Sequence, residues 1–79
     1  MTPHLPAVTA QQLIHVAERL GFVFDRQRGS HAVYYRDLDR ARIVVPIHSG
    51  KSIKPKTLQG ILHDMGITVE QFRACLSGK

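Results

Sequence analysis

The chain has 79 residues, a formal net charge of +5 and one cysteine, Cys75. This length supports one domain, residues 1–79, with one modest core. A lone cysteine excludes a disulfide scaffold, and no apolar run approaches the roughly 20 residues of a membrane span.

The opening Met1-Thr2-Pro3-His4-Leu5-Pro6 lacks the basic region and apolar stretch of a secretory signal, so the cytoplasm is the expected location. The charge is unevenly placed. Arg26, Arg28, Arg36, Arg40, Arg42, Lys51, Lys54 and Lys56 share their stretch with only Asp37 and Asp39, so residues 26–56 carry +6. A concentrated positive field attracts phosphates and releases counterions on binding them, and so favours a nucleic-acid partner over a merely solvated surface.

Residues 1–8 read as a tail, with Pro3 and Pro6 discouraging helix. Thr9 and Gln12 fit a capping box that opens a first helix, with Val8 and Leu13 as its staple. Leu13, Ile14, Ala17 and Leu20 supply its buried face, and Gly21 its stop. From Phe22 the period changes to two, with Phe22 and Phe24 alternating against Val23 and Asp25. Gly29-Ser30 predicts a turn or bulge. Residues 31–36 are β-rich, 37–40 a turn, and 42–46 a third strand closed by Pro46. Three strands with short connections imply an antiparallel meander.

His48 to Ser52 form a polar loop, and Pro55 suits the first position of a second helix. Leu58, Ile61, Leu62 and Met65 define the buried face of that helix, and Gly66 its end. Thr68 and Gln71 form a second capping box, stapled by Ile67 and Phe72, ahead of a short last helix. The expected fold is α+β: α-β-β-β-α with a three-stranded antiparallel sheet, two helices on one face and a short C-terminal helix. This order and layering is similar to that of double-stranded-RNA-binding (dsRBD-like) domains.

His31 is the first candidate for chemistry. It follows Gly29-Ser30, starts a strand and is flanked in sequence by Arg26 and Arg28. Imidazole titrates near pH 6.5, so it can take a proton from an RNA 2′-hydroxyl, whose oxygen then attacks the adjacent phosphorus. Neighbouring cations would stabilise the charge that develops there. The competing reading is a surface histidine with no task. His48, in the polar loop near Lys51, is an auxiliary candidate for phosphate binding or proton donation, set against a plain loop role. His15 and His63 fall within helices and read as surface residues, and His4 lies in the tail.

No two histidines have zinc-ligand spacing and Cys75 has no nearby histidine, so no metal or other cofactor is expected. Ser30 and His31 are strand neighbours pointing to opposite faces, which argues against a triad. Lys51, Lys54 and Lys56 cluster at the start of the second helix, where free N–H groups and a partial positive charge already favour phosphate, set against a plain solvated face. Of Tyr34 and Tyr35, one should enter the core and the other stay free for base stacking or cross-strand packing.

Several segments in order carry a family resemblance: Gly21-Phe22, Arg26 to His31, Val45-Pro46-Ile47-His48, Lys56 to Leu62, and Gly66-Ile67-Thr68. Together they resemble the HicA toxins, over about Leu5 to Leu76. Lys56 stands where that family usually has glycine. The resemblance implies a metal-independent endoribonuclease that cleaves mRNA without the ribosome. It places catalysis at His31, and it implies a HicB-type antitoxin that masks the site. Arg26, Arg28, Ser30, Lys51, Lys54 and Lys56 are the expected RNA contacts. The alternatives are a non-catalytic RNA-binding module of the same fold and an interaction protein whose basic face docks an acidic partner.

Overall fold

The computed structural model describes residues 5–48 and 50–77. His4 therefore lies outside the described residues. Among these the order is α1 (Ala10–Arg19), β1 (Val23–Arg28), β2 (His31–Arg36), β3 (Ala41–Pro46), α2 (Pro55–Met65) and α3 (Val69–Leu76). The strands form one antiparallel sheet in the order β1-β2-β3. This is the α+β arrangement expected from the sequence, with the third short helix at its end. Among the described residues no helix is long and apolar enough to cross a membrane.

Local chemistry explains the boundaries. Thr9 Oγ1 accepts from the Gln12 N–H at 3.2 Å while Gln12 Oε1 accepts from the Thr9 N–H at 2.9 Å. Thr68 and Gln71 repeat this reciprocal pair at 3.1 and 2.8 Å. Each box satisfies two of the N–H groups a helix start leaves unpaired. α2 has no side-chain cap; Lys54 stands at its N-cap and Pro55 opens it. β1 and β2 are joined by the two residues Gly29-Ser30, with Gly29 at φ +59°. Glycine at the first central position of a two-residue hairpin matches the twist of the flanking strands.

The core combines Leu13, Val16 and Ala17 of α1 with Leu58, Ile61, Leu62 and Met65 of α2, Phe72 of α3, and Ala32, Tyr34, Ile43 and Val45 of the sheet. Ala32 pairs with Val45, and Tyr34 with Ile43, so these four share one face. The helices lie over β3 rather than β1, so β1 overhangs and is exposed throughout. Phe22, expected to alternate with Phe24 in a strand, instead precedes β1 and is 1% exposed. Phe24 is on the helix side, edge-on to Tyr34 at 5.7 Å, yet 55% exposed, in keeping with helices that lie mainly over β3.

Residues 5–8 are more than a tail. Val8 is buried in the core, its carbonyl accepts from the Ile53 N–H at 2.8 Å, and Thr9 bridges Ser52. The segment thereby anchors the loop that leads into α2. A second anchor is Arg36. Its guanidinium lies 4.4 Å over the Phe22 ring, donates to the carbonyls of Leu20 (2.9 Å) and Met65 (3.1 Å), and makes a paired contact with Asp39 at 2.8 and 2.9 Å. One cation thus complements the C-terminal ends of α1 and α2 at once.

Candidate nucleic-acid interface

The register defines the face of the sheet opposite the helices. Strand partners share a face, so it carries three rows: Val23-Tyr35-Arg42, Arg26-Val33-Val44 and Arg28-His31-Pro46. His31 stands at the end of the central strand, between Arg28 and Pro46. It is exposed, and among the described residues nothing hydrogen-bonds or ion-pairs with its imidazole. Val33 is only 6% exposed although it lies outside the main core cluster, so it forms a covered apolar floor on this face. Val44, beside it, remains 44% exposed.

The arginines reach this face through an irregularity. The β1–β2 ladder shifts register between Phe24 and Arg26, leaving Asp25 as an extra, unpaired residue. A regular strand alternates faces. Phe24 would then share a face with Arg26 and Arg28. The bulge at Asp25 resets the alternation, leaving Phe24 on the helix side and both arginines beside His31. Arg26 contacts Asp25 at 3.3 Å across a largely exposed pair, a contact of little energetic weight.

The other expected contacts separate into two groups. Ser30 is exposed in the hairpin, and its carbonyl accepts from the Ile47 N–H at 2.6 Å. This bond ties the His31 end of β2 to the chain leaving β3. Lys51 and Lys54 line a cleft of about 380 Å³ with His48, Ser52, Thr57 and Pro46. Pro46 is also the strand partner of His31, so the cleft opens beside the histidine row. Lys56 is exposed but does not line the cleft, so the lysine trio is divided. His15 and His63 are exposed on their helices.

Two basic residues take places the sequence did not disclose. Arg42 joins the open face and, among the described residues, has no ion-pair partner. Arg36 belongs to the other face and serves the fold. Of the tyrosines, Tyr34 enters the core, where burial and then the Glu18 carboxylate push its phenol pKa up. Tyr35 is half-buried on the open face, its hydroxyl donating to Asp37 at 3.4 Å. The two-residue alternation separates such a pair, but the face each takes depends on the register.

Compared with known proteins, no curated protein matches the chain. A family model described as the HicA toxin of bacterial toxin-antitoxin matches residues 10–67. The match runs from the first residue of α1 to just beyond α2. It takes in the whole sheet, the hairpin that presents His31 and the cleft-forming loop. Covering well over half of the sequence, it shows that the chain belongs to the HicA toxin family of bacterial toxin–antitoxin systems.

Proposed function

We propose that this toxin is a metal-independent endoribonuclease that cleaves mRNA in the cytoplasm without the ribosome, with His31 as its general acid–base group. The observation that carries this reading is the row Arg28-His31-Pro46. It sets an exposed imidazole beside a cation on the uncovered face, next to a cleft walled by Lys51 and Lys54. His31 takes the proton of an RNA 2′-hydroxyl. The 2′-oxygen bonds to phosphorus as the bond to the 5′-oxygen breaks, and the leaving 5′-oxygen gains a proton. Arg26, Arg28, Lys51, Lys54 and Lys56 hold phosphates, with the Ser30 hydroxyl as a further contact and His48 as an auxiliary donor. With one principal catalytic side chain the enzyme is slow, since general acid–base help amounts to about 10²–10⁴-fold per group.

Membership of a toxin–antitoxin family implies an antitoxin partner. The reading takes that partner to be of HicB type, presenting acidic residues to the arginine rows and so covering His31. The test is induced expression in a bacterial host, wild type beside His31→Ala, with transcripts followed by RNA blot. Growth arrest and transcript loss in the wild type alone are expected. A purified enzyme should also spare an RNA whose cut site carries a 2′-deoxy sugar. Cleavage of that substrate, or undiminished toxicity of His31→Ala, overturns the mechanism. RNA binding by a soluble wild type that cleaves nothing would make the chain a non-catalytic RNA-binding module.

A further inference from the structure

We infer that Tyr35 and Arg42 form a nucleotide subsite on the open sheet face, set along β2 from His31, which takes an unpaired base of a single-stranded RNA. The inference rests on the nuclease reading and assigns the path and form of its substrate. Tyr35 and Arg42 are direct strand partners, so ring and guanidinium stand side by side on the face that carries His31. Among the described residues Arg42 has no ion-pair partner. Between this row and His31 lie Arg26, Val33 and Val44, an apolar floor edged by a cation.

Tyr35 lies four residue steps along β2 from His31, about 13 Å at 3.3 Å per residue. At 3.4 Å per stacked nucleotide that spans at most about four nucleotides, and fewer for a stretched strand. The subsite therefore reads a base within about four positions of the cut.

The chemistry selects the form of the RNA. An aromatic ring on an exposed sheet, with Arg42 beside it and Arg26 in the next row, offers a base a stacking surface and its phosphates charge-assisted partners. A duplex keeps its bases stacked on one another and cannot use the ring. Asp37 accepts from the Tyr35 hydroxyl at 3.4 Å. This bond fixes the ring by its edge and leaves stacking to the ring face.

The test measures binding of short single-stranded RNAs to protein carrying His31→Ala, which prevents cleavage, with further substitutions Tyr35→Ala, Tyr35→Phe and Arg42→Gln. Circular-dichroism melts check each fold. Tyr35→Ala should weaken binding by roughly ten-fold or more, and Tyr35→Phe should restore it, since stacking needs the ring and not the hydroxyl. In the active enzyme the loss should fall on KM.

An abasic substitution moved along the RNA should weaken binding most at one position within four nucleotides of the cut, and Tyr35→Ala should abolish that sensitivity. Equal affinity for a duplex of the same sequence overturns the inference. So does unchanged RNA binding by folded Tyr35→Ala and Arg42→Gln proteins, and if Lys51→Ala then weakens it, the strand runs through the lysine cleft. If the substitutions weaken only the antitoxin complex, the face serves a protein. RNA that is cut but indifferent to Tyr35 defeats this path alone, whereas absence of RNA binding at low salt defeats the nuclease reading with it.

Discussion

The bulge at Asp25 can be tested by two deletions of equal size. Removing Asp25 closes the ladder without moving any partner, since Val23, Phe24, Arg26, Gln27 and Arg28 then face Tyr35, Tyr34, Val33, Ala32 and His31 as before. Removing Gln27 also yields a regular ladder on the same hairpin, but Arg26 moves opposite Ala32 and Asp25 opposite Val33. The side chains on the open face change from three arginines to two arginines and an aspartate, +3 to +1. For single strands each neutralised phosphate contributes about 0.7 to the slope of log affinity against log salt. Losing one to two contacts lowers the slope by about 0.7–1.4, so a fourfold rise in salt weakens the Gln27 deletion about 3- to 7-fold less than the parent. The Asp25 deletion should keep the parental slope, and its stability should stay within about 1 kcal/mol, because only an exposed ion pair is lost. Fluorescence titration of a labelled RNA across salt concentrations, in a His31→Ala background, gives the slopes. Equal slopes for the two deletions, or loss of the fold on removing Asp25 alone, would refute the assignment of faces.

Three further outcomes follow from the Arg36 cluster and its turn. Arg36→Met removes two charge-assisted bonds to helix-end carbonyls and the contact with Phe22, and should cost about 2–4 kcal/mol, lowering the melting temperature by at least about 8 °C; a shift under about 3 °C contradicts the anchoring role. The guanidinium of Arg36 holds the Asp39 carboxyl below its ordinary 3.8, so the stability it confers is complete above that value and fades as pH falls through the lowered one. Urea melts should therefore show Asp39→Asn weaker than wild type at pH 7, with the gap closing in acid; a gap independent of pH speaks against the pair. Arg40 holds φ +58°, which costs a non-glycine residue about 1–2 kcal/mol, so Arg40→Gly should be neutral to stabilising by about 1 kcal/mol once chain entropy is set against it, and a clear destabilisation in the same melts would mean that the side chain contributes to the turn.

Features set by chemistry within a few residues were legible in the sequence. Both capping boxes, the proline start of α2, the Gly29-Ser30 hairpin and the turn over 37–40 depend on neighbours close in the chain, and the structure places them as read. The bulge was not legible, because Asp25 has no local mark and its extra position appears only when β1 is set against β2. Arg36 and Arg42 had equal standing in a run of basic residues, yet one pairs with Ala41 at the end of the ladder and turns to the helices, while the other shares a face with His31. Val8 was legible as the staple partner of Leu13, but the bond to its carbonyl from the Ile53 N–H, 45 positions away, was not. In the site, His31 and the hairpin that presents it were local features; the sharing of the lysines depended on how the loop after β3 folds, which leaves Lys56 outside the cleft.

The division of the sheet into two faces has a consequence for how such a toxin can be controlled. The charged side chains of the open face carry little of the fold: among the described residues nothing hydrogen-bonds with the His31 imidazole, Arg26 has one exposed ion pair, and Arg42 has none. The stabilising contacts lie on the other side, in the helix-covered core and the Arg36 cluster. Substitutions that abolish the proposed chemistry should therefore leave the folded state near its parental stability, which makes His31→Ala a clean probe of function. The same separation means that the open face brings its unpaired cations to any partner without first breaking contacts within the chain. An antitoxin with a complementary acidic surface would gain most of that interaction as binding energy, and steric cover of His31 would suffice to block the proposed chemistry without unfolding or reshaping the toxin.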